Sequence, residues 1–132
     1  MIEEAEIETL FAETPIVIDT GTGRTKCGFA DQVKPRIFPS VIGRPCHFGV
    51  MVGMGQRDYY IGEEAESKRG ILRFSPVVQK TRIVTQYNVE KIWHHCFYTE
   101  CRVAPEEHLL VFTTPPTTSD QSLRRTVASF FE

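Results

Sequence analysis

PIVIDTGTGRTKCGFA, residues 15–30, is the stretch on which the fold turns. Ile16, Val17 and Ile18 form a short apolar run that predicts a buried strand. Asp19-Thr20-Gly21-Thr22-Gly23 has the composition of a tight turn. From Thr25 to Ala30 the chain returns as a second strand, with Cys27 and Phe29 on one face because side chains alternate along a strand. The result is a β-hairpin with a carboxylate and small residues at its tip. Such a tip either turns the chain, with Asp in a turn position, or also holds a ligand. Gly21 and Gly23 allow backbone N–H groups to approach an anion as a nest, and Thr22 adds a hydroxyl. Asp19 is suited to orienting the water shell of Mg²⁺, and Lys26 brings compensating charge. No G-x-x-x-x-G-K-[ST] run is present, so the tip is not a P-loop. From these residues alone, both roles stay open.

The 132 residues suffice for one domain with a modest core, and 41% hydrophobic against 24% charged residues argues for a packed chain. A net charge of -2 gives no basic footprint for nucleic acid, and no apolar run is long enough to span a membrane; neither is expected as a partner. The acidic N-terminus lacks the basic start and cleavage site of a secretory leader, which favours the cytosol or nucleus. Cys27, Cys46, Cys96 and Cys101 form no C-x-x-C pair and are expected to be free thiols. His94, His95 and Cys96 are consecutive, so on a helix they point about 100° apart and cannot converge on one ion.

Further along, Arg36-Ile37-Phe38 predicts a short strand stopped by Pro39. Gly43 to Gly55 holds four glycines and two methionines and predicts a loop. Its uncharged tip, Val50-Met51-Val52-Gly53-Met54, either packs back on its own domain or offers an adaptable contact to a partner. Tyr59 to Ile61 predicts a strand, Glu63 to Arg69 a short helix with Gly70 as its C-cap, and Ile71 to Phe74 a strand closed by Ser75-Pro76. Residues 77–86 fit no single pattern. The clearest helix covers Val89 to Cys101, with Val89, Ile92, Trp93, Cys96, Phe97 and Cys101 on one face and Asn88 or Thr85 as cap. Leu109 to Thr113 predicts an apolar strand covered on both faces. Ser119 caps a last helix whose apolar face is Leu123, Val127, Phe130 and Phe131. Each such side chain gains about 1.5–3 kcal/mol by burial. That face therefore needs cover, from residues already in the chain or from sequence beyond Glu132. The class is mixed α/β.

Five stretches together resemble the N-terminal third of the actins: DTGTGRTKCGFA at 19–30, RIFPSVIGRP at 36–45, GVMVGMGQRDYYIGEEAESKRGIL at 49–72, VEKIWHHCFYTECRVAPEEH at 89–108, and FFE at the end. The resemblance runs from about Ile16 to Glu132. It implies an actin-like (ribonuclease H-like) mixed sheet with flanking helices, incomplete, with a small inserted subdomain. The implied division is an acidic flexible N-terminus at 1–14, the first part of a subdomain with the phosphate hairpin at 15–39, the small subdomain at 40–76, and the return at 77–132. It implies a cytoskeletal, filament-forming protein that binds ATP and Mg when complete. By position, Asp19 resembles the residue facing the hydrated Mg²⁺. Gly21, Thr22 and Gly23, with Arg24 beside them, resemble the first phosphate loop, and Lys26 the phosphate-contacting lysine. His47, Gly49, Val50, Met51, Val52, Gly53, Met54 and Gly55 resemble the loop that docks onto the next subunit, which favours the partner-contact role. Arg69 and Gly70 fall in the family's basic link at the base of the smaller subdomain. The implied partners are other actin subunits and actin-binding proteins. The implied location is the cytoplasmic cytoskeleton, with a nuclear actin-related protein, or a short non-enzymatic binder of actin or its regulators, as alternatives.

Departures mark a divergent member. Asp31-Gln32-Val33-Lys34-Pro35 stands for a Gly-Asp-Asp-Ala-Pro run, and Ser75 to Thr81 lacks the His-Gly pair that lies under the nucleotide phosphates. Thr114-Pro115-Pro116-Thr117-Thr118 replaces Glu-Ala-Pro-Leu-Asn, and Thr20 stands where many actins have Asn. The second phosphate loop, the water-positioning glutamine and the adenosine pocket belong to the family's remaining two-thirds. The resemblance therefore assigns no catalytic residue here, because phosphoryl transfer needs opposing groups in place together.

Overall fold

The structure, a computed structural model, describes residues 14–46, 57–79, 82–83, 86–114 and 118–130. In chain order the strands and helices are β1 (Ile16–Thr20), β2 (Arg24–Phe29), β3 (Arg36–Pro39), β4 (Val41–Pro45), β5 (Tyr60–Ile61), α1 (Glu63–Ser67), β6 (Leu72–Pro76), β7 (Val78–Gln79), β8 (Arg82–Ile83), α2 (Gln86–His95), β9 (Leu110–Phe112) and α3 (Asp120–Phe130). A π-helical turn, Cys96–Cys101, continues α2 directly. The class is mixed α/β with flanking helices, as the sequence predicts.

The hairpin forms the centre of a four-stranded sheet ordered β3-β2-β1-β9. β1 and β2 are antiparallel, with Ile16 opposite Phe29 and Thr20 opposite Thr25, whereas β9 lies parallel to β1. Ile16 and Ile18 are buried while Asp19 and Thr20 are half-buried, so one alternating face of β1 meets the core and its end approaches solvent. Against that face lie Val89, Ile92 and Trp93 of α2 and Cys96, Phe97 and Cys101 of the π turn, all buried in one cluster. Cys96 and Cys101, at the two ends of that turn, are both buried in this cluster. Arg102 closes it in the left-handed conformation, φ 57°.

Several boundaries differ from expectation. Pro39 is the last residue of β3 rather than the first beyond it; β3 is an edge strand, where a missing N–H costs no ladder bond. Gly43, Arg44 and Pro45 belong to β4, the central strand of a sheet ordered β5-β4-β6, and not to a loop. Gly43 is there for space: a Cβ would come 2.7 Å from Leu72 Cδ1. Ser75-Pro76 ends β6 from within, opposite Ile42 and Val41. Gly70 is not a C-cap, because α1 stops at Ser67 and Gly70 sits in a 3₁₀ turn, Arg69–Ile71. Tyr60, Ala65 and Leu72 form a second, smaller cluster with this sheet. Residues 78–79 and 82–83, left open by the sequence, pair as a two-stranded ribbon.

Asn88 does not cap α2. It is buried inside the helix, and its Oδ1 accepts a 2.7 Å hydrogen bond from Arg44 Nη2; Thr85 lies outside the described residues. β9 is not covered on both faces among the described residues, since Val111 is 53% exposed at the sheet edge. Ser119 does cap α3, its Oγ accepting the Ser122 N–H at 3.2 Å. Phe130 seats that helix, stacking on Trp93 with ring centroids 4.0 Å apart and approaching Phe112 at 5.0 Å. Leu123 and Val127 stay over a third exposed, and Phe131 lies outside the described residues.

All four cysteines are free thiols; Cys27, Cys96 and Cys101 are buried and Cys46 is exposed. His95 Nε2 meets Glu100 Oε1 at 3.1 Å, His94 tilts against Tyr98, and no cluster among the described residues is able to hold a metal ion. A hydrogen bond from Cys101 works to lower the Cys27 pKa, but its bond with Cys96 and burial outweigh this and push it up to about 12. Cys101 is raised too, by its bond with Cys27 and by burial. The unfolded chain ionises these thiols first, near pH 9.0. Their contribution to stability is therefore complete below that pH and is withdrawn as pH climbs from there towards about 12. Thermal melts across this window should show a steeper decline for the native chain than for Cys27→Ala; equal slopes would contradict the buried, neutral thiol.

Candidate functional site

β1 ends where the chemistry begins. Asp19 is its penultimate residue and sits opposite Lys26 in the antiparallel register. Lys26 Nζ lies 3.5 Å from Asp19 Oδ2. On the other side, β9 runs parallel to β1 and delivers Thr113 past its own end. The Thr113 amide donates to the Ile18 carbonyl at 3.2 Å, and its hydroxyl donates to Asp19 Oδ1 at 2.7 Å. The carboxylate is thus held at both oxygens, yet its side chain is 42% exposed. It stands at the carboxyl ends of two parallel strands, the place where α/β sheets leave a crevice.

The turn beyond is built unequally. The Gly21 N–H donates to the Arg24 carbonyl at 3.1 Å, closing the hairpin. A Cβ on Gly21 would stand 2.6 Å from that same oxygen, so glycine is required by the turn itself. The amides of Thr22 and Gly23 have no backbone acceptor among the described residues. Gly23 is different again: nothing lies within 4 Å of a Cβ placed there. Its carbonyl accepts the Ser40 N–H at 3.0 Å, and beneath it the hydroxyls of Thr25 and Ser40 pair at 2.6 Å in a buried bond. Trp93 of α2 donates its Nε1–H to Thr20 Oγ1 at 3.0 Å, fixing the start of the turn to the core.

Of the residues singled out in the sequence, Asp19 and Lys26 come together, and Thr22 and Gly23 lie exposed at the adjoining turn. Arg24 is exposed at the start of β2, and among the described residues its side chain bonds to none of the others. Thr113, Trp93 and Ser40 were not foreseen. Thr113 has no local signal; only the parallel pairing of β9 with β1 brings it 94 positions back to Asp19. The loop from His47 to Gly55 lies outside the described residues.

The family model described as Actin matches residues 12–132 of this chain. The chain belongs to the actin family. Actins generally bind ATP with Mg, and the donor set at this actin-like tip fits such a group: a wet, oriented carboxylate, two amides with no backbone acceptor among the described residues, a hydroxyl and an ammonium. In this actin-family chain no helix among the described residues is long and apolar enough to cross a membrane.

Proposed function

We propose that the hairpin tip is the metal–phosphate half of a Mg-ATP site in an actin-type cytoskeletal subunit. The observation that carries this is the pairing of a doubly held but exposed Asp19 with a turn whose Thr22 and Gly23 amides have no backbone acceptor among the described residues and whose Gly23 has open space at its Cβ position. Asp19 orients the water shell of Mg²⁺, which keeps several waters when bound. The two amides and the Thr22 hydroxyl meet phosphate oxygens, Lys26 adds charge, and Arg24 stands beside the turn. Bound Mg²⁺ supplies neutralisation of phosphate charge. Thr113 and Trp93 keep the carboxylate and the turn in place.

The test is a titration of the 132-residue chain with Mg-ATP, read from backbone amide shifts. Weak, millimolar binding is expected at Thr22, Gly23 and Lys26, with phosphate release at background. Asp19→Asn keeps an acceptor for Thr113 but removes the charge, so the Mg²⁺ dependence should vanish and affinity fall about tenfold, roughly 1.4 kcal/mol. Unchanged Mg²⁺ dependence would defeat the proposal.

The apolar, uncharged tip at residues 50–54 supports the filament role, and equally the reading of a short non-enzymatic binder of actin. In both, the loop from His47 to Gly55 contacts an actin subunit. Met51→Glu with Met54→Glu should therefore cut co-sedimentation with actin filaments about tenfold or more, since each places a charge in an apolar contact. Undiminished co-sedimentation would remove the loop from the interface. The division into subdomains and a cytoskeletal location, rather than a nuclear one, follow the same family reading.

A further inference from the structure

The small sheet meets α2 along a seam that carries cations from both sides. In the antiparallel register of β4 and β6, Arg44 stands directly opposite Arg73. Residues opposite one another share a face of the sheet, and like charges in that position weaken the strand pair. From α2, Lys91 places its Nζ 4.6 Å from the centre of the Tyr87 ring and 4.8 Å from that of Tyr59. The Arg44 guanidinium lies 6.0 Å from the centre of the same Tyr87 ring, and its Nη2 donates to Asn88 Oδ1, which holds it in place. The ion pairs among the described residues are Lys26–Asp19, Arg57–Glu64, Arg69–Glu66 and His95–Glu100, and they include none of Arg44, Arg73 and Lys91. Tyr87 is 61% exposed and Arg73 is exposed, while Arg44 and Lys91 are half-buried.

We propose that this seam is a docking surface for an acidic, Asp/Glu-rich segment of a partner protein. A carboxylate set between Arg44 and Arg73 accepts hydrogen bonds from both guanidinium groups and turns their repulsion into attraction. A further carboxylate pairs with Lys91, and the exposed Tyr87 ring supplies apolar area. Arginine and tyrosine are the residue types that anchor protein–protein contacts. The positive charge is local, in a chain whose net charge is -2, which suits a short peptide better than the long phosphate backbone of a nucleic acid. None of these residues belongs to the hairpin tip, so the proposal stands apart from the Mg-ATP reading.

The test is a titration of the full chain with a fluorescent oligoglutamate peptide, read by anisotropy at about 50 mM salt. Saturable binding below about 1 mM is expected, several-fold weaker at about 200 mM salt, with none for a Gly-Ser peptide of the same length. Arg73→Glu is the decisive variant. It replaces a like-charge pair by an opposite-charge pair, so the melting midpoint should rise by about 1–4 °C while peptide affinity falls at least tenfold. Mg-ATP shifts at Thr22 should be unchanged in this variant. Arg44→Lys keeps the charge but loses the planar fork, and should weaken the peptide about threefold. Arg125→Gln, on the exposed side of α3, should leave affinity as it is. Absence of saturation, equal binding of the Gly-Ser peptide, or native affinity in Arg73→Glu would each overturn the proposal. Tighter binding of an oligothymidylate, lost in Arg73→Glu, would make this a nucleic-acid surface instead. Self-association of the native chain that Arg73→Glu removes would seat the acidic residues 1–13 of a second copy here and likewise overturn the assignment to a partner protein.

Discussion

Trp93→Ala should cost about 3–5 kcal/mol and lower the melting midpoint by on the order of 10–20 °C, a large part of a typical domain's stability. Trp93 is buried on the core face of α2, and it is the surface on which Phe130 seats α3. Truncation leaves a cavity in the main cluster and removes the stacking partner at the end of the last helix. It also removes the donor that holds Thr20. Trp93→Phe separates these effects. The ring and the stack remain and only the hydrogen bond to Thr20 is lost, so the expected cost is about 1 kcal/mol plus a small volume term. Chemical denaturation of the two variants beside the native chain gives both numbers. A loss below about 1 kcal/mol for the alanine variant would mean that α3 is not seated on this ring.

The two glycines of the hairpin tip should respond in opposite ways. Gly21→Ala drives a Cβ to within 2.6 Å of the Arg24 carbonyl oxygen, a backbone atom tied to Gly21 by the turn hydrogen bond. Neither side is able to yield without opening the hairpin, so stability should fall by about 1–3 kcal/mol and any phosphate binding should go with it. A Cβ at position 23 meets nothing within 4 Å, so Gly23→Val should leave stability within about 0.5 kcal/mol of the native chain. If the proposed phosphate site is right, a bulky side chain at the turn crowds the bound group, so Mg-ATP affinity read at Thr22 should fall at least tenfold, about 1.4 kcal/mol. Melting curves and amide titrations on the same samples distinguish turn from ligand site. A Gly23→Val chain that binds like the native one would mean that the open space above the turn serves no ligand.

Much of the fold was legible because its signals are local. The alternation through Cys27 and Phe29, the six buried positions from Val89 to Cys101 and the Ser119 cap all follow from the geometry of one strand or one helix. The misses share a cause as well. Gly43, Pro45, Pro39 and Pro76 are turn formers by composition, but each sits where the sheet asks for something else: a glycine against Leu72, or a proline at a strand end or an open edge. Asn88 looks like a cap until Arg44, 44 positions away, claims its oxygen. The run from Leu109 to Thr113 looks like a doubly covered strand, because parallel strands have that composition wherever they lie in a sheet. At the candidate site, Asp19 and Lys26 could be paired from the hairpin register, whereas Thr113 and Trp93 could not.

What the sequence determined by itself was the hairpin, its acidic and glycine-rich tip, and the long run of motifs that places the chain among the actins. These are consequences of neighbouring residues, which set backbone conformation within a few positions. Only the tertiary structure decided which glycine serves the turn and which leaves space, and which hydroxyl holds the Asp19 carboxylate. Those depend on strand order and on a crossover between β1 and β9. Contacts across 73 and 94 positions are fixed by how faces pack and pair, and no local pattern encodes them.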